Sequence, residues 1–219
     1  MTASDAAAAK KYSIDGSTAN LGGLIGDGEL MPQGAIRCSE LDRSVRAAFP
    51  SSQLLLRSSL SLAMVTGKAF KIANIRVNRK KPGLMRQHLT AVKAAAKICD
   101  ARVTGAELGS KELIFIPRKP KGGDYHFAIG TAGSTTLVAQ TVIPALMLAD
   151  EPSTLTIEGG THNMQSPSYD FLKHSFLPVL KKMGVEVEAD IKSYGFYPAG
   201  GGKITFSIKP TKQLQPIEL

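Results

Sequence analysis

The segment NRKKPGLMRQHL, residues 78–89, concentrates cationic side chains around a Pro-Gly turn. These side chains are Arg79, Lys80, Lys81, Arg86 and, when it is protonated, His88. Guanidinium groups match phosphate oxygens in a bidentate geometry, whereas an ammonium group acts as a point charge. The turn leads into a predicted helix, and so dense a positive charge favours an anionic partner.

The charge of the whole chain is unevenly distributed, which supports the same interpretation. The net charge is +9, and between Asp42 and Asp100 there are twelve Lys or Arg residues and no acidic residue. Acidic residues return in the second half of the chain. A field of one sign suits a polyanion such as a nucleic acid or a nucleotide, and a solvated basic surface is the plain alternative.

Length and composition restrict the class of protein. The 219 residues include 43% hydrophobic residues, which is typical of a globular chain. No apolar run reaches the roughly 20 residues that a membrane-spanning helix needs, so no membrane is expected. The first residues lack an apolar signal core, which predicts a protein of the nucleus or cytoplasm that is not secreted. Two cysteines make neither a disulfide framework nor a metal site.

The elements that must position the cationic segment follow from local periodicity. Residues 1–10 read as a disordered, Ala-rich tail, and 11–18 as a first strand. The spacing of apolar residues predicts helices over 54–67, capped by Gly67, and from Pro82 to Cys99. A strand is expected over 68–77, and two short strands are expected within 101–117.

The same order of elements recurs in the second half of the chain. LVAQTVIPALMLAD (137–150) matches LLLRSSLSLAMVTG (54–67) position for position, with Gln140 opposite Arg57. Phe115 and Phe206 hold equivalent places, so the repeat length is about 90 residues. We predict an α+β fold of tandem βαβαββ repeats, each with two helices on a four-stranded sheet. Residues 54–117 complete the first repeat, and 118–210 form the second.

Residues 19–53 interrupt this pattern. The segment is Gly-rich and has no sustained period of 2 or 3.6 residues. A structureless loop of this length is unusual inside a compact domain. We interpret it as an anomalous insert and hypothesise that it is a translated intron or an error in the prediction of the gene. Finding the segment in the mature transcript would refute that hypothesis.

Six motifs in order resemble the RNA 3′-terminal phosphate cyclases. They are RSSLSLAMVTGKAFKI, KPGLMRQHLTAVKAA, GAELGS, GGDYHFAIGTAGS, EGGTHN and YGFYPAGGGK. The resemblance covers residues 54–219 and the short IDGST before the insert. It implies a domain of three βαβαββ units with a small α/β domain inserted before the third. This chain resembles the first two units, and residues 211–219 resemble the truncated start of the inserted domain.

The resemblance implies a reaction that uses ATP and Mg²⁺ or Mn²⁺. A histidine attacks the α-phosphate of ATP and becomes adenylated, and the AMP passes to an RNA 3′-terminal phosphate. The neighbouring 2′-hydroxyl then displaces AMP and leaves a 2′,3′-cyclic phosphate. Covalent catalysis and charge stabilisation are the parts that the enzyme supplies. The implied partners are ATP and RNA with a 3′-terminal phosphate.

The resemblance also implies which residues bind these partners. The residues matching the motif that grips the RNA 3′-phosphate are Arg76, Arg79, Arg86, Gln87 and His88. The residues matching or adjoining the nucleotide site are Arg57, Gln140, Pro167 and His162.

Two departures from the family pattern concern catalysis. The EGGGQ segment expected after the first strand is replaced by the insert, and the family's nucleophilic histidine belongs to the third unit. No catalytic residue is therefore predicted in this chain, and we expect no self-adenylation. His126 and His174 are expected to be structural or surface residues.

Other functions and folds remain open at this point. The chain could be a non-catalytic, cyclase-like RNA-binding protein of RNA processing or ribosome assembly, although RQHL and Gln140 favour a cyclase. It could also be a truncated product that self-associates through an uncovered repeat face. The enolpyruvyl transferases stack similar units, but the RNA-type motifs argue against them.

Overall fold

The computed structural model describes residues 13–15 and 52–217. The first unit consists of β1 (Ser13–Asp15), α1 (Ser52–Thr66), β2 (Phe70–Ala73), α2 (Arg86–Ile98), β3 (Arg102–Thr104) and β4 (Leu113–Ile116). The second consists of β5 (Gly123–Ala128), α3 (Thr135–Leu146), β6 (Ser153–Gly159), the composite helix α4 (residues 169–182), β7 (Glu186–Ser193) and β8 (Gly202–Lys209). The predicted tail over 1–10 and most of the predicted insert lie outside the described residues.

The two units share one topology. Their sheets have the strand orders β1-β2-β4-β3 and β5-β6-β8-β7. In each sheet the first two strands are parallel, and the other pairs are antiparallel. A parallel pair needs a crossover connection, and α1 and α3 supply it. The predicted α+β fold of tandem βαβαββ units, each with two helices and a four-stranded sheet, is confirmed.

The core lies where helices of both units meet. α1, α2 and α3 pack against one another, α1 also packs on β2 and β4, and α3 packs on β6 and β8. Buried residues of both units form one continuous hydrophobic cluster. Phe115 and Phe206, which the repeat places in equivalent positions, are both fully buried in it. The two repeats therefore fix each other's position, so residues of both repeats can form one site with defined geometry.

The ends of several elements differ from the prediction for reasons of backbone conformation. α1 begins at Ser52, inside the segment predicted as an insert, and ends with Gly67 in the left-handed region, as predicted. β2 ends at Ala73 because Asn74 and Arg76 both have φ of 55°. α2 begins at Arg86 rather than at Pro82, because the turn before it contains Gly83 at φ 80°.

The second helix of the second unit, α4 (residues 169–182), is not a uniform α-helix. It comprises an α-helical turn (Tyr169–Phe171), a π-helical turn (Leu172–Phe176) and an α-helical segment (Leu177–Lys182). Pro178 is the second residue of the last segment and lacks the N–H that would bond to the carbonyl four residues earlier. We attribute the π-helical turn to this proline. In a π-helix each carbonyl accepts from the N–H five residues later, so the pattern of carbonyls that need a donor changes around the missing N–H.

Part of the helical layer is apolar and exposed. Leu62 and Val65 of α1 are 62% and 42% exposed. The predicted self-association through an uncovered repeat face stays a prediction, and these side chains are where it would occur. Across 13–15 and 52–217, none of the helices combines the length and the apolar character that crossing a membrane requires.

Candidate functional site

The loop that carries the first cationic residues is held closed by its own backbone and by Arg76. Gly83 N–H donates to the Ile75 carbonyl at 2.8 Å, which joins the two ends of the loop. Arg76 Nη1 donates to the carbonyls of Lys81 at 2.7 Å and Gly83 at 2.8 Å. Arg76 therefore holds the Pro-Gly turn in shape. Its Nε is buried and has no hydrogen-bond partner among the residues that the structure describes.

Four arginines surround the start of α2 and form what we call the basic cluster. Its members are Arg57, Arg76, Arg79 and Arg86. Within residues 13–15 and 52–217, none of them forms a salt bridge, and the first turn of α2 contains no acidic residue. The helix terminus adds partial positive charge. An anion is the missing complement of this arrangement.

Burial affects the two inner members of the cluster. The pKa of Arg57 is lowered by burial, and the pKa of Arg76 is lowered by burial and by the nearby charge of Arg79. Both groups remain cations, because an arginine side chain does not lose its proton in proteins. Arg79 and Arg86 are exposed, so their guanidinium groups are free to reach a ligand in solvent.

His88 lies in the first turn of α2 as a buried, neutral ring. Only 6% of it is exposed, and its Nδ1 accepts a hydrogen bond from the backbone N–H of Met85 at 3.2 Å. Burial first, then the charges of Arg76 and Arg57, lower the pKa of His88 to about 4. His88 therefore contributes no charge at neutral pH, unlike the protonated form considered from the sequence. It caps the helix that carries Arg86.

Gln87 connects the two repeats. Its Oε1 accepts the backbone N–H of Ser134 at 2.8 Å, and Ser134 caps α3 by accepting the N–H of Leu137. Gly133 packs against the Gln87 side chain, and an added Cβ there would lie 3.1 Å from the Cβ of Gln87. The ligand-binding role predicted for Gln87 stays a prediction; in the structure its side chain fixes the 129–134 loop against α2.

The predicted nucleotide residues gather around α3. The Thr136 hydroxyl donates to the Pro167 carbonyl at 2.7 Å, and the half-buried Gln140 lies one turn further along the same helix. Arg57 lies on α1, which packs against α3. The structure therefore brings Pro167 beside the start of α3 and places Arg57 on a neighbouring helix.

His162 belongs to the same 160–168 loop as Pro167 but has its own partners. Its Nε2 lies 2.7 Å from Asp170 Oδ2, and its Nδ1 lies 2.8 Å from Thr161 Oγ1. The hydrogen bond with His162 lowers the pKa of Asp170. The ring also contacts Tyr194 and Phe196. No periodicity or motif in the sequence indicated this aromatic contact.

The remaining histidines have positions that fit the structural or surface roles expected of them. His126 Nε2 lies 3.0 Å from Glu158 Oε1, and Lys203 lies 3.1 Å from the same oxygen. These hydrogen bonds, Lys203 first, lower the pKa of Glu158. His174 is exposed on α4.

An open cleft of about 350 Å³ lies at the ends of β5 and β6, and sequence reasoning did not single it out. Glu158 and Lys203 line it together with Gly159 at the end of β6 and with two loop glycines, Gly130 and Gly201. The glycine-containing motifs were the only signal in the sequence for this convergence. Within the described part of the chain, no group of three His, Cys, Asp or Glu side chains is placed to hold a metal ion.

The matching family model and three similar proteins all carry the same name. The family model for RNA 3′-terminal phosphate cyclase matches residues 51–218. Proteins named RNA 3′-terminal phosphate cyclase from Koribacter versatilis and Pseudomonas fluorescens are 58% and 57% identical over 165 residues, or 75% of this chain. A protein of the same name from Ectopseudomonas mendocina is 53% identical over the same length.

The matches also define how much of the relatives is represented. The aligned region is 46% of the Koribacter protein and 48% of each of the other two, so the chain spans about half the length of the curated relatives it matches. All three relatives are bacterial, and bacteria have no nucleus, so the comparisons give the nuclear expectation no support. The extent of the family match and the identity of these relatives show that the chain belongs to the RNA 3′-terminal phosphate cyclase family, a family of enzymes.

Proposed function

We propose that this chain binds the phosphorylated 3′ end of an RNA at the basic cluster and ATP beside α3. In this role it supplies substrate-binding residues for conversion of an RNA 3′-phosphate to a 2′,3′-cyclic phosphate through an adenylated enzyme. The observation that carries the proposal is the basic cluster itself. Three of its guanidinium groups, those of Arg76, Arg79 and Arg86, lie at or before the start of α2, pair with no described carboxylate and are stabilised when the RNA phosphate joins them. The fourth, that of Arg57, lies on α1 and is left for ATP.

The residues of the phosphate grip divide into contacting and positioning groups. Arg79 and Arg86 are exposed and contact the phosphate directly in this proposal. Arg76 uses Nη1 to hold the turn, so its first role is to position the loop that carries Arg79. Gln87 holds the adjoining loop, and the neutral His88 holds the start of α2. The positioning groups reduce the conformational entropy that binding would otherwise cost.

The described residues offer binding groups for ATP but no separate set of ligands for a divalent metal. Arg57, which pairs with no described carboxylate, offers a cation for a phosphate of ATP, and Gln140 of α3 offers amide donors and acceptors. Pro167 lies at the start of α3, and His162 belongs to the same 160–168 loop as Pro167. No described carboxylate cluster fits a metal by itself. Mg²⁺ or Mn²⁺ would thus depend on the nucleotide, since Mg²⁺ is commonly held by substrate phosphates with one or two carboxylates. The metal would neutralise charge on those phosphates.

Alanine at Arg79 or Arg86 is expected to reduce the preference for a 3′-phosphate. We expect each variant to lose about 10- to 100-fold in affinity for a short RNA ending in a 3′-phosphate, because each removes a charge-assisted hydrogen bond. Affinity for the same RNA ending in a 3′-hydroxyl should change far less. Fluorescence anisotropy with both RNAs at one fixed salt concentration measures the difference.

A matched control separates this effect from a general loss of charge. Arg118 is an exposed arginine of the same half of the chain, paired with Asp100 at 2.8 Å. Arg118→Ala should lower the affinity for both RNAs equally and only slightly. Equal affinity of the unsubstituted chain for the two RNAs, or an equal effect of all three substitutions, would refute the assignment of the basic cluster to the terminal phosphate.

Self-adenylation of this chain alone is expected to be absent. His88 is buried, His162 and His126 are engaged with Asp170 and Glu158, and His174 is on the surface of α4. The chain would be incubated with Mg²⁺ and ATP labelled at the α-phosphate, denatured, and assayed for protein-bound AMP. Acid-labile label on the protein would contradict the expectation. Selective binding of the 3′-phosphate without label would fit a substrate-binding part that requires a nucleophile from elsewhere.

A further inference from the structure

Three aromatic rings form a contiguous surface beside the 160–168 loop. The ring centroids of Tyr194 and Phe196 each lie 5.5 Å from the centroid of His162, and they lie 6.4 Å from each other. The planes of Tyr194 and Phe196 differ by only 10°. Tyr194 is 60% exposed and Phe196 is 56% exposed, so two large rings present much of their area to solvent. We call these three residues the aromatic surface.

The rings are held in place by hydrogen bonds of their neighbours. Thr161 Oγ1 accepts the N–H of Gly195 at 2.9 Å, and the backbone N–H of Thr161 donates to the Gly195 carbonyl at 2.8 Å. Gly195 packs so closely on the Gly159 carbonyl that a Cβ there would overlap it. His162 is fixed from its other side by Asp170. An exposed but preorganised aromatic surface needs little reordering to bind a flat ligand.

The aromatic surface and the basic cluster border the same loop, residues 129–134. A Cβ built on Gly130 would lie 3.5 Å from Arg86 Nη1, which places that guanidinium against the loop. On the next residue, the Thr131 carbonyl would lie 2.8 Å from a Cβ on Gly200. Gly200 in turn donates its N–H to the Phe196 carbonyl at 2.7 Å. A short path of direct packing therefore connects Arg86 to Phe196.

We propose that Tyr194 and Phe196, backed by His162, stack against a nucleobase near the 3′ end of the RNA strand whose terminal phosphate the basic cluster holds. The proposal rests on the proposed function, and it adds a contact with the base to the contact with the phosphate. Aromatic side chains beside a positively charged surface are the usual means of holding single-stranded nucleic acid, because every base has a face that can stack. The net charge of +9 favours such a strand over an apolar peptide.

The test compares RNA with and without bases near its 3′ end. One short single-stranded RNA ends in a 3′-phosphate, and a second is identical except for abasic positions in its last nucleotides. We expect Tyr194→Ala and Phe196→Ala each to weaken binding of the intact RNA by about 5- to 100-fold, the range measured for loss of one stacked base. Neither variant should bind the abasic RNA more weakly than the unsubstituted chain does. Tyr194→Phe should bind as the unsubstituted chain does.

The control is Tyr197→Ala. Tyr197 is in the same loop and 85% exposed, yet it is not part of the stacked group, so its removal should leave both affinities unchanged. Should the alanine variants not fold, the unsubstituted chain still provides the decisive comparison, because it must prefer the intact RNA over the abasic one. Equal affinity of the unsubstituted chain for the two RNAs overturns the proposal. Alanine variants that lose affinity for free ATP but not for the intact RNA overturn it as well.

The outcomes also distinguish this proposal from the proposed function. Retained selectivity for the 3′-phosphate, with no effect of the missing bases, overturns stacking and leaves the phosphate site intact. A failure to bind either RNA overturns both. Loss of affinity at Tyr194 and Phe196 that disappears with the abasic RNA supports stacking specifically, since a merely structural defect would weaken binding of both RNAs.

Discussion

Replacing Gly83 with alanine is expected to lower the free energy of unfolding by about 3 kcal/mol or more. Gly83 has φ of 80°, a conformation that costs an L-residue roughly 1–2 kcal/mol. Its missing side chain also matters, because a Cβ would overlap the backbone carbonyl of Gly109. A backbone group cannot rotate away as a flexible side chain can, so the loop has to shift. Urea unfolding of the two proteins measures the loss.

Gly67 provides the matched control for this substitution. It has φ of 69°, close to that of Gly83, but a Cβ at Gly67 would meet no atom of residues 13–15 or 52–217 within 4 Å. Gly67→Ala should therefore show only the conformational cost, about 1–2 kcal/mol. Similar losses for the two variants would mean that the contact between Gly83 and Gly109 does not limit the loop.

The same comparison has a functional readout. Gly83 N–H joins the loop to Ile75, and its carbonyl accepts from Arg76. A shifted turn would move Arg76 and the start of α2 together. We therefore expect Gly83→Ala, where it still folds, to reduce selectivity for a 3′-phosphate, whereas Gly67→Ala should retain it.

The second large effect is a loss of stability at acidic pH that depends on His88. The pKa of His88 is about 4 in the folded protein, against about 6.5 for an unperturbed histidine. As the pH falls below about 6.5, the unfolded chain therefore takes up the proton first. The contribution of the neutral ring is complete above that pH and is lost progressively toward pH 4. At pH 4.5 the loss should reach about 2–3 kcal/mol.

His88→Gln isolates this effect, because glutamine has no proton to gain. Its side-chain oxygen can still accept the Met85 N–H, as glutamine commonly does at this position of a capping box. Urea unfolding of both proteins between pH 7 and pH 4.5 should show the steeper decline in the unsubstituted chain. Parallel declines would mean that His88 is not held neutral by burial and by Arg57 and Arg76. Carboxylates that titrate in this range affect both proteins equally.

The fold was predictable because its signals are local. The apolar spacing of α1 and the glycine that ends it are properties of 54–67 alone, and the match with 137–150 revealed the repeat. Gly83 shows the limit of such reasoning. A Pro-Gly pair suits a helix start as well as a turn, and contact with Gly109, 26 positions away, decided for the turn.

The candidate site was predictable in composition but not in the division of roles. The sequence grouped Arg76, Arg79, Arg86, Gln87 and His88 into one motif. The structure shows Arg76 holding a turn, Gln87 holding the second repeat, and His88 neutral beneath two arginines. Residue type alone carries no information about burial or about which neighbour takes up each donor and acceptor.

The sequence by itself determined the order of elements, the two repeats, the uncompensated positive charge and the motifs of the cyclase family. These depend on residue identity and on spacing along the chain. Only the tertiary structure decided the protonation of His88, the tie between Gln87 and Ser134, and the approach of His162 to Tyr194 and Phe196. Each of these depends on burial or on distances between residues far apart in the sequence. Packing within one repeat determines the first and the last, and packing of the two repeats against each other determines the contact of Gln87 with Ser134.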